Sequence, residues 1–175
     1  MSPSKYLFLL LTISMVFISH ATTPTSSPKL YENVCKNLGN KEFEQPCLKL
    51  IEAYPRVILA KSCLRFCKVF AKWVAIGKAT KAQNYIKEMM KKYPSSTAIK
   101  ECAASDYDYV VSELHCVLIE DPEMISMCVR YAADGLDMCE RNLVNEKIVN
   151  ISSIHTINNN IRLLTDILMS AANHL

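Results

Sequence analysis

The sequence predicts an all-α protein: an up-down-up-down four-helix bundle, preceded by an N-terminal α-helical hairpin and stapled by disulfides. Three observations predict it. Apolar residues recur at helical spacing along nearly the whole chain behind its first 30 residues. Only 3 of 175 residues are glycine, which excludes glycine-rich phosphate loops and most small all-β folds with many tight turns. Eight cysteines follow an N-terminal apolar segment, as in chains that enter an oxidising compartment. The formal net charge of +3 is too small to indicate a nucleic-acid partner.

Residues 1–21 read as a secretory signal peptide. Lys5 supplies the positive n-region, Tyr6 to Ile18 the apolar run, and Ser19-His20-Ala21 the small residues of a cleavage site. An uncleaved anchor is the rival reading, but the run is shorter than the ~20 apolar residues a bilayer requires. No second run of that kind follows, so no membrane attachment is expected after cleavage. Residues 22–33 form a polar leader, and 34–175 the helical domain. Asn150-Ile151-Ser152 is an N-glycosylation sequon, and secretion favours its use at Asn150.

The elements follow in order. Gly39 and Pro46 divide Leu30 to Tyr54 into two short helices, with Cys35 on one and Cys47 near the start of the other. Pro55 marks a break. Leu59, Cys63, Phe66, Phe70, Trp73, Ile86, Met90 and Tyr93 then give a first long helix ending before Pro94. Ser95-Ser96-Thr97 is a loop and cap. Ile99, Cys102, Val110, Leu114 and Val117 mark the second helix. Asp121-Pro122 opens the third, which carries Ile125, Cys128, Val129, Ala132, Leu136 and Cys139. After a loop at 150–153 the last helix carries Ile154, Ile157, Ile161, Leu164, Leu168 and Ala171. Short loops between long amphipathic helices make sequence neighbours antiparallel.

Antiparallel packing constrains the cysteines. Residues at one level of two antiparallel helices have a nearly constant sum of numbers. Cys102 with Cys139 and Cys116 with Cys128 satisfy this together, so two bridges would staple the second helix to the third at both ends. Cys35 and Cys47 are the natural pair for the hairpin. Cys63 and Cys67 remain, four apart on one helix, where side chains project outward rather than toward each other. Cys63 then reads as a small buried apolar residue, with an intermolecular or unusual local bridge as the alternative.

These features resemble the plant invertase/pectin methylesterase inhibitor domain over nearly the whole chain after the signal segment. The resemblance is carried by Val34-Cys35 and Pro46-Cys47-Leu48, by Glu101-Cys102 with Tyr107-Asp108-Tyr109-Val110-Val111-Ser112-Glu113-Leu114, by Asp137-Met138-Cys139, and by Asn158-Asn159-Asn160-Ile161. It implies a secreted protein of the cell wall or vacuole, without cofactor, that inhibits a carbohydrate-active enzyme by a non-covalent one-to-one complex. Pectin methylesterase and acid invertase are the two partners implied. Family members with invertase as target carry a Pro-Lys-Phe-like insertion late in the bundle. The similar string here, Pro28-Lys29-Leu30, is at the other end, which favours pectin methylesterase. The face before Cys139 contributes to enzyme contact in the family. Where relatives tend to carry small residues and Thr, this chain has Arg130, Tyr131, Asp134 and Met138. A secreted helical bundle without inhibitory action is the further alternative.

No catalytic constellation competes. His115, His155 and His174 have no metal-ligand spacing, no Gly-x-Ser-x-Gly elbow is present, and Cys63-x-x-x-Cys67 lacks the second pair of a zinc finger. Lys61, Arg65, Lys68 and Lys72 recur as a basic stripe on the first long helix. It reads as a solvated face opposite the Phe66–Trp73 stripe, or as a surface that attracts an anionic partner.

Overall fold

The computed structural model describes residues 29–146 and 151–175. The signal segment 1–21, most of the leader and the sequon asparagine Asn150 lie outside the described residues. Two short helices, α1 (Leu30–Lys36) and α2 (Glu44–Glu52), form the expected hairpin. The Cys35–Cys47 bridge closes it. Pro46 does not interrupt α2. It occupies the first turn, where backbone N–H groups have no intrahelical acceptor and the missing donor costs nothing. One turn of helix, α3 (Pro55–Ile58), begins at Pro55, where the sequence suggested only a break.

The first bundle helix starts later than its apolar pattern suggests. Ser62 is its N-cap, with the side-chain oxygen accepting from the Arg65 N–H at 3.3 Å. Leu59 lies before the helix and is 72% exposed. From there α4 (Cys63–Phe70) passes through a π-helical turn at Ala71–Ala75 into α5 (Ile76–Lys92). That turn takes up an extra residue. The inward position accordingly falls on Val74, and Trp73 is 48% exposed on the basic side. The second bundle helix is built in the same way: α6 (Thr97–Glu101), a π-helical turn at Cys102–Asp106, and α7 (Tyr107–Ile119). Ser96 caps it through its hydroxyl, 3.0 Å from the Ile99 N–H. Then come α8 (Pro122–Asn145), with proline at its first position, and α9 (Ser152–Ala172). No strand occurs among the described residues.

Packing runs in a ring: α5 against α7, α7 against α8, α8 against α9, and α9 against α4. Consequently α4 and α8 are diagonal. Cys102–Cys139 and Cys116–Cys128 bridge opposite ends of the α7–α8 pair, which requires these helices to be antiparallel. The core holds inward residues from every bundle helix, among them Phe66, Phe70, Val110, Leu114, Ile125, Leu136 and Leu164, but not the expected Leu59 and Trp73. Ser170 of α9 donates to the Val34 carbonyl at 2.8 Å and ties the hairpin to the bundle. Cys63 and Cys67 are unbridged. Cys67, not Cys63, is the fully buried one. Burial pushes its thiol up to about 12, with Cys63 adding to the effect. No described helix is long and apolar enough to cross a membrane.

Candidate functional site

The outer face of α7 and α8 carries Arg130, Tyr131 and Asp134, three of the six residues singled out for partner contact. The inward positions of α8 are Ile125, Cys128, Val129, Ala132 and Leu136. This phase leaves Met124, Met127, Arg130, Tyr131 and Asp134 exposed on one side of the helix. Tyr109 of α7 stands beside Tyr131. Their ring centroids are 6.5 Å apart and the planes are tilted by 37°. Tyr109 is 36% exposed and Tyr131 39%, so both rings offer area to a partner. Aromatic and methionine side chains on a soluble surface are the composition typical of protein interfaces.

The two helices approach closely under this pair. A Cβ on Gly135 would lie 2.8 Å from Val110 Cγ2 and 3.0 Å from the Asp106 carbonyl oxygen. The π-helical turn at Cys102–Asp106 puts that carbonyl there, and Asp106 itself accepts from Asn142 Nδ2 at 3.2 Å. Asp106, Asp108, Tyr109, Ser112 and Met138 border a shallow depression of about 440 Å³ beside the tyrosines. Asp108 is held from below by Gln83 Nε2, which also donates to the Ala103 carbonyl at 3.0 Å, and Lys87 Nζ lies 3.9 Å away.

Electrostatically the face is acidic. Partial burial raises the Tyr109 phenol above its ordinary pKa, with Glu113, Tyr131 and Asp134 adding to the rise. Tyr109 is therefore a neutral hydrogen-bond donor at physiological pH. Burial also raises Glu113. Glu113 lies within 4.8 Å of the sulfurs of Cys116 and Cys128. With those sulfurs bonded to each other, the trio is no set of thiolate ligands. Residues 101–140 hold ten carboxylates and one arginine, Arg130. Residues 53–87 hold eight Lys and Arg and no acid.

The other proposed contact residues, Arg65, Lys68 and Lys72, lie on α4 and its π-helical turn. They are diagonal to α8, and the fold does not bring them to Arg130, Tyr131 and Asp134. Trp73 joins them rather than opposing them. The Arg56 guanidinium lies 4.0 Å from its ring centroid and Lys72 Nζ 5.8 Å. Tyr109 is not singled out for contact by the sequence, because its pairing with Tyr131 depends on the α7–α8 register. The paired spacing of Cys102, Cys116, Cys128 and Cys139 held that information. The Tyr107 and Asn158 motifs are internal. Tyr107 Oη donates to Asn158 Oδ1 at 2.7 Å, and Asn158 Nδ2 donates to Glu140 Oε1 at 2.7 Å.

This arrangement of hairpin and bundle has a solved counterpart. The structure is similar to that of a mutant form of a pectin methylesterase inhibitor from Arabidopsis, with a TM-score of 0.67. The match covers 85% of this chain and 98% of that one at 19% identity. The chain has the fold of that inhibitor. No protein-family model matches the chain, and no curated protein matches it.

Proposed function

We propose that the protein is a secreted, non-enzymatic inhibitor of pectin methylesterase. It forms a non-covalent one-to-one complex in which the α7–α8 face covers the enzyme cleft and blocks polymer entry. The observation that carries this reading is the fold shared with a pectin methylesterase inhibitor over 85% of the chain. The exposed Tyr109–Tyr131 pair supports it, as do the surrounding Met127, Arg130 and Asp134. No reactive group is needed, because inhibition of this kind rests on a complementary surface of roughly 1,200–2,000 Å². In this reading residues 1–21 are removed on secretion, residues 34–175 form the inhibitory domain, and Asn150 is glycosylated. The protein then acts in the cell wall.

Titrating the oxidised protein into a pectin methylesterase assay at mildly acidic pH and low salt tests the reading. Saturable inhibition near one equivalent is expected. Tyr131→Ala should weaken it by about tenfold or more, the loss of a central aromatic anchor, with unfolding unchanged. Inhibition of acid invertase alone, measured in parallel, would transfer the reading to that target. Inhibition of neither, with all three bridges intact, would leave a non-inhibitory bundle. An affinity that survives moderate salt would remove any part for Arg65, Lys68 and Lys72 in attracting the enzyme.

A further inference from the structure

An open groove of about 720 Å³ runs between α2, α5 and α9, on elements that take no part in the α7–α8 face. Its volume falls within the range of small-molecule sites, about 300–1,000 Å³. Three helices each contribute one apolar strip. Leu50 comes from α2 and Ala53 from its C-cap, Ala82 and Tyr85 from α5, and Ile157, Ile161 and Leu164 from α9. Ala82, Ile161 and Leu164 are buried, while Leu50 and Ile157 remain only partly buried and Tyr85 is exposed, so the apolar strips are left incompletely covered.

The polar part of the lining has one sign. Lys49, Lys78 and Lys81 stand around the apolar floor, and no carboxylate lines the groove. Among the described residues none of the three lysines has an ion-pair partner, and the hydroxyls of Tyr54 and Tyr85 make no hydrogen bond. Lys78 and Lys81 lie in a stretch, residues 53–87, that contains no acid, and Lys49 has no ion pair with its sequence neighbour Glu52. An apolar trough with unpaired ammonium groups at its edge is complementary to one kind of ligand, an apolar body with an anionic head. The leader segment Thr22-Thr23-Pro24-Thr25-Ser26-Ser27-Pro28 has neither a carboxylate nor a large apolar side chain, and does not match it.

We propose that this groove binds a free long-chain carboxylate of the fatty-acid type. The tail lies along Leu50, Ile157 and Ile161, and the carboxylate is held by Lys49, Lys78 and Lys81. The proposal does not depend on the inhibitor reading, since the two sites share no residue. The test is isothermal titration of the secreted, oxidised protein with oleate below its micelle concentration, with oleyl alcohol and butyrate as controls. Oleate should bind saturably at one equivalent, and more weakly as salt rises. Oleyl alcohol, lacking the charge, and butyrate, lacking the tail, should each bind more weakly. The triple variant Lys49→Gln/Lys78→Gln/Lys81→Gln should lose about tenfold in oleate affinity, as expected for three partly exposed ion pairs. Its affinity for oleyl alcohol should be unchanged. Asn160→Trp, at an exposed position in the lining, should fill the groove and abolish binding, while circular dichroism matches the parent. Absence of saturable oleate binding would overturn the proposal. So would an unchanged affinity in the triple variant, or partition onto phosphatidylglycerol vesicles without one-to-one binding of the free acid.

Discussion

Gly135 shows how little room one residue has on this face. Alanine there would gain about 1 kcal/mol of helix propensity. Its Cβ would also press on Val110, a stiff β-branched side chain in the core, and on the Asp106 backbone. Overpacking of this kind costs about 1–3 kcal/mol. Gly135→Ala is therefore expected to lower stability by about 1 kcal/mol net, read as a lower urea midpoint, and to shift Tyr109 away from Tyr131. Gly77 contrasts with it. Beyond the helix's own backbone and its chain neighbours, nothing lies within 4 Å of its Cβ position, so alanine there should stabilise slightly under the same measurement. At the same scale Cys67 is closed to chemistry by burial, and its weak S–H···O contact to the Leu168 carbonyl spans 3.9 Å.

Among the elements, the α7–α8 pair is the most constrained. Two bridges hold it, one spanning 37 residues and the other 12. In the chain-entropy account the longer closure stabilises by about 4 kcal/mol and the shorter by about 3 kcal/mol. Replacing Cys102 and Cys139 by alanine should cost more than replacing Cys116 and Cys128, as measured by denaturant unfolding of the two double variants. The reverse order would show that the bridges act through the native state rather than the unfolded chain. This stapling also bears on binding, because a rigid pair presents Tyr109 and Tyr131 without further ordering on contact. The π-helical turns act at the element scale too. Each resets the phase of a long helix, one turning Trp73 outward and the other placing the Asp106 carbonyl against Gly135.

Over the whole molecule, charge is segregated, with a basic α4–α5 side and an acidic α7–α8 side. The acidic side affects stability through pH. Burial raises the Asp106 pKa in the folded state against the Asn142 hydrogen bond, with Glu101 adding and Arg141 opposing. Burial raises Glu113 and also Asp166, the latter against Arg162. A carboxyl with a raised folded pKa binds its proton more tightly when folded. Its contribution is complete below the unfolded value, about 4, and is lost as pH rises through the raised value. Thermal stability governed by these groups should thus be higher in mild acid than at neutrality. Asp106→Asn should raise the melting temperature at pH 7 and flatten its pH dependence. A steeper dependence in the variant would contradict the assignment.

The four bundle helices, the hairpin and all three bridges were legible in the chain, because each follows from the spacing of residues along it. Apolar residues at three- and four-residue intervals define a buried stripe, and paired cysteine levels define an antiparallel register. The sequence also carried the acidic and basic segments. Tertiary structure decided what spacing cannot encode. Trp73 faces outward because a π-helical turn changes the period within the helix. Leu59 is exposed because the Ser62 cap starts the helix after it. Tyr109 meets Tyr131 because Gly135 lets two backbones approach, and the lysine-edged groove arises where three helix faces from distant parts of the chain converge. Linear order specifies the face of each helix, and only packing specifies which faces meet.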